Sequence, residues 1–290
     1  MAAWRFSVRE ITGVRPEGDF GAVFFDGACV LTSPNALSAA NEAAATWTAA
    51  PHTGTVTLPN GDDMPAGVTS FASGEGSSFF VMSTPSVWQA GGVRGDPLDL
   101  DAMMVFVLLH EGSHVAQMAT YGRRVGALAE SHHLPEDFND DSMQRRFEET
   151  PAFTASILRE TDLFVEAAGA ADDAEALRLA REARAMMRAR AARHFVADLA
   201  YYAEAEALFL AFEGSGQWAG YRWLIHPQGM ALEPDLARRA AMRSRWWSQN
   251  EGLAIALTLD RLGPANWHDV AFGDGGQTLL DMLDATLAQN

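Results

Sequence analysis

Three residues stand at a spacing that can carry metal chemistry: His110, Glu111 and His114. In an α-helix, residues four positions apart lie on one face about one turn apart, so both imidazoles could bind one tetrahedral ion through ring nitrogens. Glu111 lies about 100° further round such a helix, where it is better placed to hold a water molecule than to bind the ion. The spacing therefore predicts a metal-binding pair with a general base beside it.

The residues around this pair predict a buried helix. The run from Met103 to Leu109 is apolar on every side, Asp99 or Asp101 can cap the helix, and Gly122 can end it. Two helix histidines that make only ordinary hydrogen bonds are the alternative explanation. Because adjacent buried imidazoles need polar partners, and a metal ion supplies them, the context favours the metal site.

The helix around His110 and His114 resembles that of the HExxH zinc metallopeptidases of the gluzincin type, in which a Glu on a later helix completes the site. Gluzincins commonly carry that Glu in an Asn-Glu-Gly or a Glu-Gly-x-Ala-x-Tyr context. This chain offers Glu213-Gly214 with Tyr221 downstream, and also Asn250-Glu251-Gly252. The resemblance implies a zincin-like fold and a zinc-dependent hydrolase that cleaves peptide or protein substrates. It also implies one Zn²⁺ per chain, with Glu111 taking the proton of a zinc-activated water.

The third metal ligand has three candidates, ranked by context as Glu213, then Glu160, then Glu251. Glu160 stands on an apolar helical stripe, where a carboxylate must be paired or bound to a metal because a lone buried charge is too costly. An exposed glutamate, or one paired with arginine, is the ordinary alternative for each candidate. Gluzincins with a short spacer place this Glu much nearer the histidines, so the resemblance does not assign the ligand.

Two further features could serve the same chemistry. Tyr121, Tyr202 or Tyr221 could donate a hydrogen bond to a developing oxyanion, although the more common role for each is that of an ordinary core tyrosine. The run from Ser78 to Ser83 predicts a strand. As an edge strand it could pair with an extended peptide, and otherwise it is core.

Two compositional halves must position these residues. Residues 1–98 are rich in Gly, Ser, Thr, Pro and aromatic residues and contain strand-like runs, and Ser33-Pro34 predicts the start of a helix that reaches Ala50. Residues 99–290 are rich in Ala, Leu, Arg and Glu and predict helices near 101–121, 143–168, 172–213, 234–262 and 276–288, with a break at Gly214 to Gly216. We therefore expect one structural unit of the α+β class: a small β-containing N-terminal lobe, a mostly helical C-terminal body, and the HExxH helix between them.

Composition excludes several classes of protein. The formal net charge is −17 and all 21 basic residues are arginine, so binding to nucleic acid is disfavoured. Without lysine there is no P-loop lysine and no Schiff-base lysine. No apolar run approaches the length of a membrane span.

The first residues contain no secretory hydrophobic segment, which indicates a cytoplasmic protein unless a leader has been removed, in which case it is periplasmic or secreted. The sequence leaves the oligomeric state open.

Two other functions remain open at this point. Glu130 and His133 form a second Glu-x-x-His, which with single glutamates such as Glu160 and Glu213 is the recipe of a di-iron carboxylate helical protein. The other is a non-catalytic binding protein with a vestigial metal site. Glu111 argues against the latter, because a purely structural zinc site needs no adjacent general base.

Overall fold

A computed structural model describes residues 1–13, 19–74 and 78–289 and shows an α+β protein, with a sheet near the N-terminus and a helical C-terminal body. The strands are β1 (Gly21–Phe25), β2 (Cys29–Ser33), β3 (Thr48–Pro51), β4 (Thr55–Thr57), β5 (Asp63–Pro65), β6 (Ser70–Ser73) and β7 (Phe79–Ser83). The α-helices are α1 (Ala2–Ser7), α2 (Pro85–Ala90), α3 (Leu100–Gln117), α4 (Arg123–Ser131), α5 (Ser142–Phe147), α6 (Pro151–Ala168), α7 (Asp173–His194), α8 (Tyr202–Ile225), α9 (Pro234–Ala241), α10 (Trp247–Leu262), α11 (Trp267–Ala271) and α12 (Leu279–Gln289).

Internal contacts divide the chain into two compact units. The sheet unit comprises residues 1–119 and 219–240, and the helical unit comprises residues 120–218 and 241–290. Helix α8 is continuous and contributes residues to both units. In the described part of the chain, no helix combines the length and the apolarity needed to cross a membrane.

The sheet unit is built on a five-stranded mixed sheet in the order β3-β2-β1-β7-β6, in which β1 and β7 are parallel and the other neighbours antiparallel. Side chains alternate between the two faces of a strand. Val23, Phe25, Phe79 and Val81 share a buried cluster with residues of β4 and the segment after it. Helix α3 packs against β6 and β7, and α1 packs against α3. The sheet therefore supports the helix that carries the histidine pair.

One sequence expectation is confirmed in the sheet unit and another is wrong. The strand predicted at 78–83 is present as β7, and it lies inside the sheet between β1 and β6, so of the two roles left open it has the core role and not the edge role. The helix predicted from Ser33 to Ala50 is wrong, since Ser33 ends β2 and β3 pairs with β2. The Asn35 side chain holds the intervening loop by bonding Ala44 and Thr46. Sheet pairing and this side-chain network outweigh the helix propensity of the alanines.

In the helical unit, α6 packs along α7 and α10, and α12 packs against α7 and α10. Helix α6 buries Phe153, Ile157, Leu163 and Phe164 on one stripe, as its apolar periodicity predicts. The single helix predicted over 172–213 is two helices, because the chain leaves α7 at Phe195 and passes Ala197 with φ of 49° before α8 begins.

The break predicted at Gly214 to Gly216 is absent, because Gly214 serves helix packing. Gly214 and Gly252 lie where α8 and α10 cross, and a Cβ added to Gly214 would stand 2.5 Å from the backbone carbon of Gly252. Only glycine allows two helix backbones to approach so closely. The predicted segment 234–262 likewise contains two helices, α9 and α10.

Candidate metal centre

Helix α3 positions the histidine pair. The Asp99 side chain caps it by accepting a hydrogen bond of 2.7 Å from the Ala102 backbone N–H. The helix ends at Gln117, and a π-helical segment, Met118–Gly122, leads into α4, so Gly122 does not end the helical run as expected. From Leu108 to Val115 every residue of α3 is buried. The pair therefore lies in the buried part of the helix.

The two imidazoles of the pair converge on one point. Their Nε2 atoms are 2.9 Å apart, and the residues are only 6% and 5% exposed for His110 and His114. Two nitrogens at zinc–nitrogen distances of roughly 2.0–2.1 Å from one tetrahedral ion are about 3.3 Å apart. The pair is therefore arranged closely enough to share a single cation.

Glu213 comes to the pair because α8 contacts α3. A Cβ added to Gly220 would stand 2.6 Å from the Phe106 ring, so the two helices touch there. Glu213 lies two turns before Gly220 on its helix, and His110 lies one turn after Phe106 on the other. The ligand atoms of His110, His114 and Glu213 all lie within 4.8 Å of one another, and all three residues are buried.

This set of donor groups fits a divalent cation. Two imidazole nitrogens and one carboxylate oxygen form the His₂Glu set of catalytic zinc sites, which leaves the fourth position for water or substrate. A cation would also compensate the charge of the Glu213 carboxylate, which is only 5% exposed. His110, His114 and Glu213 are thus the residues that could hold the ion.

Glu111 follows His110 directly and is 8% exposed. The next residue, Gly112, lies against the Trp4 ring, and a Cβ added to Gly112 would stand 2.7 Å from that ring. The Trp4 indole N–H donates to the Leu37 carbonyl oxygen at 2.8 Å. This packing holds the helix backbone on either side of Gly112, next to Glu111, against Trp4.

Two glutamines and an aspartate surround Glu213 in the helical unit. Gln249 Nε2 donates to Glu213 Oε2 at 3.1 Å, and Gln217 Nε2 donates to Gln249 Oε1 at 2.9 Å. Burial raises the pKa of Asp141, Arg145 opposes that shift, and the negative charge of Glu213 adds to it. Asp141 begins α5, but its carboxylate does not cap that helix. The carboxylates of Asp141 and Glu213 therefore lie close enough to repel each other.

Glu160, the second candidate ligand, is bound by an arginine. The Arg190 guanidinium donates to both of its carboxylate oxygens at 2.7–3.1 Å and also donates to Glu206 Oε1 at 2.7 Å. The side chains of Arg190 and Glu160 are 1% and 0% exposed. A carboxylate on the apolar stripe of α6 had to be paired or bound to a metal, and Glu160 is paired with arginine. The histidine group contains Glu213 instead.

Glu251, the third candidate, belongs to the same charge cluster. Its Oε2 is 3.9 Å from Arg190 Nη2, and within the described residues neither of its oxygens has a hydrogen-bond partner. Burial, together with the negative charge of Glu160, raises the pKa of Glu251 well above its ordinary value. Glu251 therefore lies in the Arg190 cluster and is not part of the histidine group that could hold a metal ion.

The structure places the remaining candidates as follows. The Tyr121 hydroxyl donates to the Gln277 carbonyl oxygen at 2.6 Å and that of Tyr202 to Ser142 at 3.4 Å, so both phenols have partners in the helical unit. Burial raises the pKa of each. Tyr221 is buried on α8. Glu130 and His133 are exposed, and His133 lies beyond the end of α4 with φ of 52°.

Sequence reasoning missed both glutamines beside Glu213. Gln217 follows Glu213 by one helical turn, so its position on the same face could have been found from spacing. Gln249 lies on another helix, and no local pattern connects it to Glu213.

Comparison of the chain with protein-family models, with curated proteins and with solved structures finds no match. Only the residues of the candidate metal centre therefore indicate a function.

Proposed function

We propose that this protein is a zinc-dependent hydrolase, most simply a zincin-like metallopeptidase, with His110, His114 and Glu213 as the metal ligands and Glu111 as the general base. The observation that carries the proposal is the convergence of two buried Nε2 atoms with one buried carboxylate. A general base stands directly beside one of the histidines. The donor set favours zinc, and the adjacent base favours hydrolysis over a structural role.

When bound, zinc supplies Lewis acidity, which lowers the pKa of a water molecule toward about 7 and polarises a substrate carbonyl. The Glu111 carboxylate accepts a proton from the attacking water and passes it to the leaving amine. Because Glu111 is almost fully buried, its proton transfers take place where bulk water is largely excluded.

Peptides are the favoured substrate class because of the strand beside α3. β6 lies at one end of the described five-stranded sheet, and α3 packs against it. An extended peptide can add to such an edge through backbone hydrogen bonds. The edge strand that could pair with a peptide is therefore β6 and not the strand at residues 78–83, because β7 is internal.

The two alternative functions receive less support. A di-iron centre needs Glu130 and His133 inside a helical bundle, whereas both are exposed. A vestigial site would have no reason to keep a carboxylate at position 111, next to a metal-binding histidine.

The test uses the full chain and its Glu111→Gln variant. Wild-type protein should contain one zinc per chain by elemental analysis and should degrade casein or pooled synthetic peptides, measured as released amino groups. Glu111→Gln should retain the zinc and lose at least about 100-fold in rate, the contribution expected of a general base. The proposal would be contradicted if the wild type contained iron in place of zinc, or if zinc-loaded wild type hydrolysed no peptide. It would also be contradicted if Glu111→Gln remained active.

A further inference from the structure

We infer that Gln249 is a positioning residue that holds the Glu213 carboxylate in its metal-binding orientation. The inference rests on the proposed zinc centre and adds to it a residue on a third helix, α10. Gln249 is too far along the sequence from the histidines to belong to the HExxH pattern, and it contacts the centre through Glu213.

Both ends of the Gln249 amide are engaged. Its Nε2 donates to Glu213 Oε2 at 3.1 Å, while its Oε1 accepts from Gln217 Nε2 at 2.9 Å. The carboxylate fixes which end of the Gln249 amide faces it, because a reversed amide would place two acceptor oxygens against each other. The Gln249 amide therefore presents its N–H donor to Glu213.

A neutral donor suits this position. A lysine or arginine here would pair with Glu213 and compete with a cation for its negative charge, as Arg190 does at Glu160. An amide N–H orients the carboxylate but leaves its full charge for the ion. Partners of this kind, which orient a ligand from outside the coordination sphere, typically change metal affinity 10–100-fold when they are removed.

The backbone that carries Gln249 is held on both sides. Gln144 accepts from the Trp247 N–H at 2.9 Å and donates to the Arg245 carbonyl oxygen at 3.2 Å, which fixes the start of α10. Three residues after Gln249, Gly252 lies in backbone contact with Gly214, the residue next to Glu213. Gln249 and Glu213 thus keep their separation because their two helices are fixed at adjacent points.

The experiment measures zinc affinity in full-length Gln249→Met, a variant that keeps the side-chain volume and removes the donor. Competition with a chelator of known affinity should show a zinc Kd about 10–100-fold above that of wild type. The visible spectrum of the Co²⁺-substituted protein should change as well. Thermal unfolding of the metal-free variant should match that of metal-free wild type, which separates positioning from a structural role.

Two matched variants complete the design. Gln217→Met leaves the bond between Gln249 and Glu213 in place and should raise the zinc Kd by a smaller factor. Gln89→Met, on the exposed face of α2, should leave it unchanged. A wild-type Kd for Gln249→Met overturns the inference, as does a loss of affinity accompanied by unfolding of the metal-free variant.

The inference and the proposed function fail in different ways. If the wild type does not bind zinc, or if Glu213→Gln binds it with wild-type affinity, the proposed metal centre is wrong. If zinc binding depends on Glu213 but not on Gln249, only the positioning role of Gln249 is wrong.

Discussion

Glu213 and Glu160 are both buried glutamates on helices, and their neighbours give them different tasks. Three hydrogen bonds from one guanidinium neutralise Glu160 and leave it little capacity for a second cation. Glu213 lies beside two imidazoles and accepts a hydrogen bond from the neutral amide of Gln249. The two carboxylates therefore differ in their surroundings, since Glu160 is paired with a guanidinium and Glu213 lies with the histidines that could bind a metal.

This difference can be tested with a pair of isosteric variants. Glu213→Gln should lower zinc affinity at least about 10-fold, because it removes the charged ligand from the proposed centre. Glu160→Gln should keep one zinc per chain but should cost about 3 kcal/mol of stability, since Arg190 loses a charged partner in the interior. Elemental analysis measures the zinc content of each variant, and denaturant unfolding measures its stability. Loss of zinc from Glu160→Gln but not from Glu213→Gln would make Glu160 the ligand.

Among the elements of the helical unit, the crossing of α8 and α10 brings two buried glutamates onto adjacent helices. Each helix contributes a Glu-Gly pair, Glu213-Gly214 and Glu251-Gly252, and the two glycines make the close contact. The first glutamate belongs to the group that could hold a metal ion, whereas the second lies in the Arg190 cluster. The close contact of the glycines therefore determines how near the two glutamate-bearing backbones lie.

Gly252→Ala should show how closely these helices must pack. The added Cβ would stand 2.7 Å from the Gly214 Cα and from the Leu210 carbonyl oxygen, both of them backbone atoms. We expect a loss of about 3 kcal/mol, the upper end of the cost of overpacking, because the backbone has little room to move. Zinc affinity should fall too as Gln249 shifts.

Gly126→Ala is the matched control for denaturant unfolding, because it also adds a methyl group to a helical glycine. Gly126 has nothing within 4 Å of the added Cβ, so the alanine should stabilise α4 by about 0.5–1 kcal/mol. Equal effects of the two substitutions would show that the crossing tolerates a wider spacing.

The sequence allowed the α+β class, most helices and the histidine pair to be predicted, since each follows from local spacing and composition. It did not allow the role of Gly214 to be predicted, because a packing glycine and a helix-breaking glycine look the same until the partner helix is known. The choice between Glu213, Glu160 and Glu251 failed to resolve for the same reason. Arg190 and Gln249, which distinguish these carboxylates, lie on other helices.

At the scale of the whole molecule, an acidic chain has buried part of its negative charge. Glu160, Glu206 and Glu251 surround the single guanidinium of Arg190, and all four residues are at most 5% exposed. Burial raises the pKa of Glu206, and Arg190 opposes the shift without cancelling it. Burial lowers the pKa of Arg190, but the surrounding carboxylates outweigh it and the net shift is upward. The net pKa shifts of Glu206, Glu251 and Arg190 are therefore all upward.

Stability should consequently depend on pH through Glu251. An acid whose folded pKa is raised stabilises the fold fully below its unfolded pKa, about 4.5, and that contribution is lost as pH rises toward the folded pKa. As the pH rises above 4.5, this group should therefore lower the free energy of unfolding of the wild type by up to about 1.4 kcal/mol per pH unit. Glu251→Gln removes this titration and should flatten the slope, leaving the part due to Glu206. Denaturant unfolding at several pH values gives the slopes, with the exposed Glu204→Gln as control; equal slopes in wild type and Glu251→Gln would rule the effect out.

The Arg190 cluster also bears on how the helical unit assembles. Its four ionisable groups come from α6, α7, α8 and α10, and Glu160 and Glu206 lie 30 and 16 residues from the arginine. In a partly folded chain in which α7 is packed but α6 or α8 is not, the Arg190 guanidinium would be buried without all of its carboxylate partners. This would cost several kcal/mol. Such intermediates should stay sparsely populated. The four helices are therefore expected to fold and unfold in a single cooperative step.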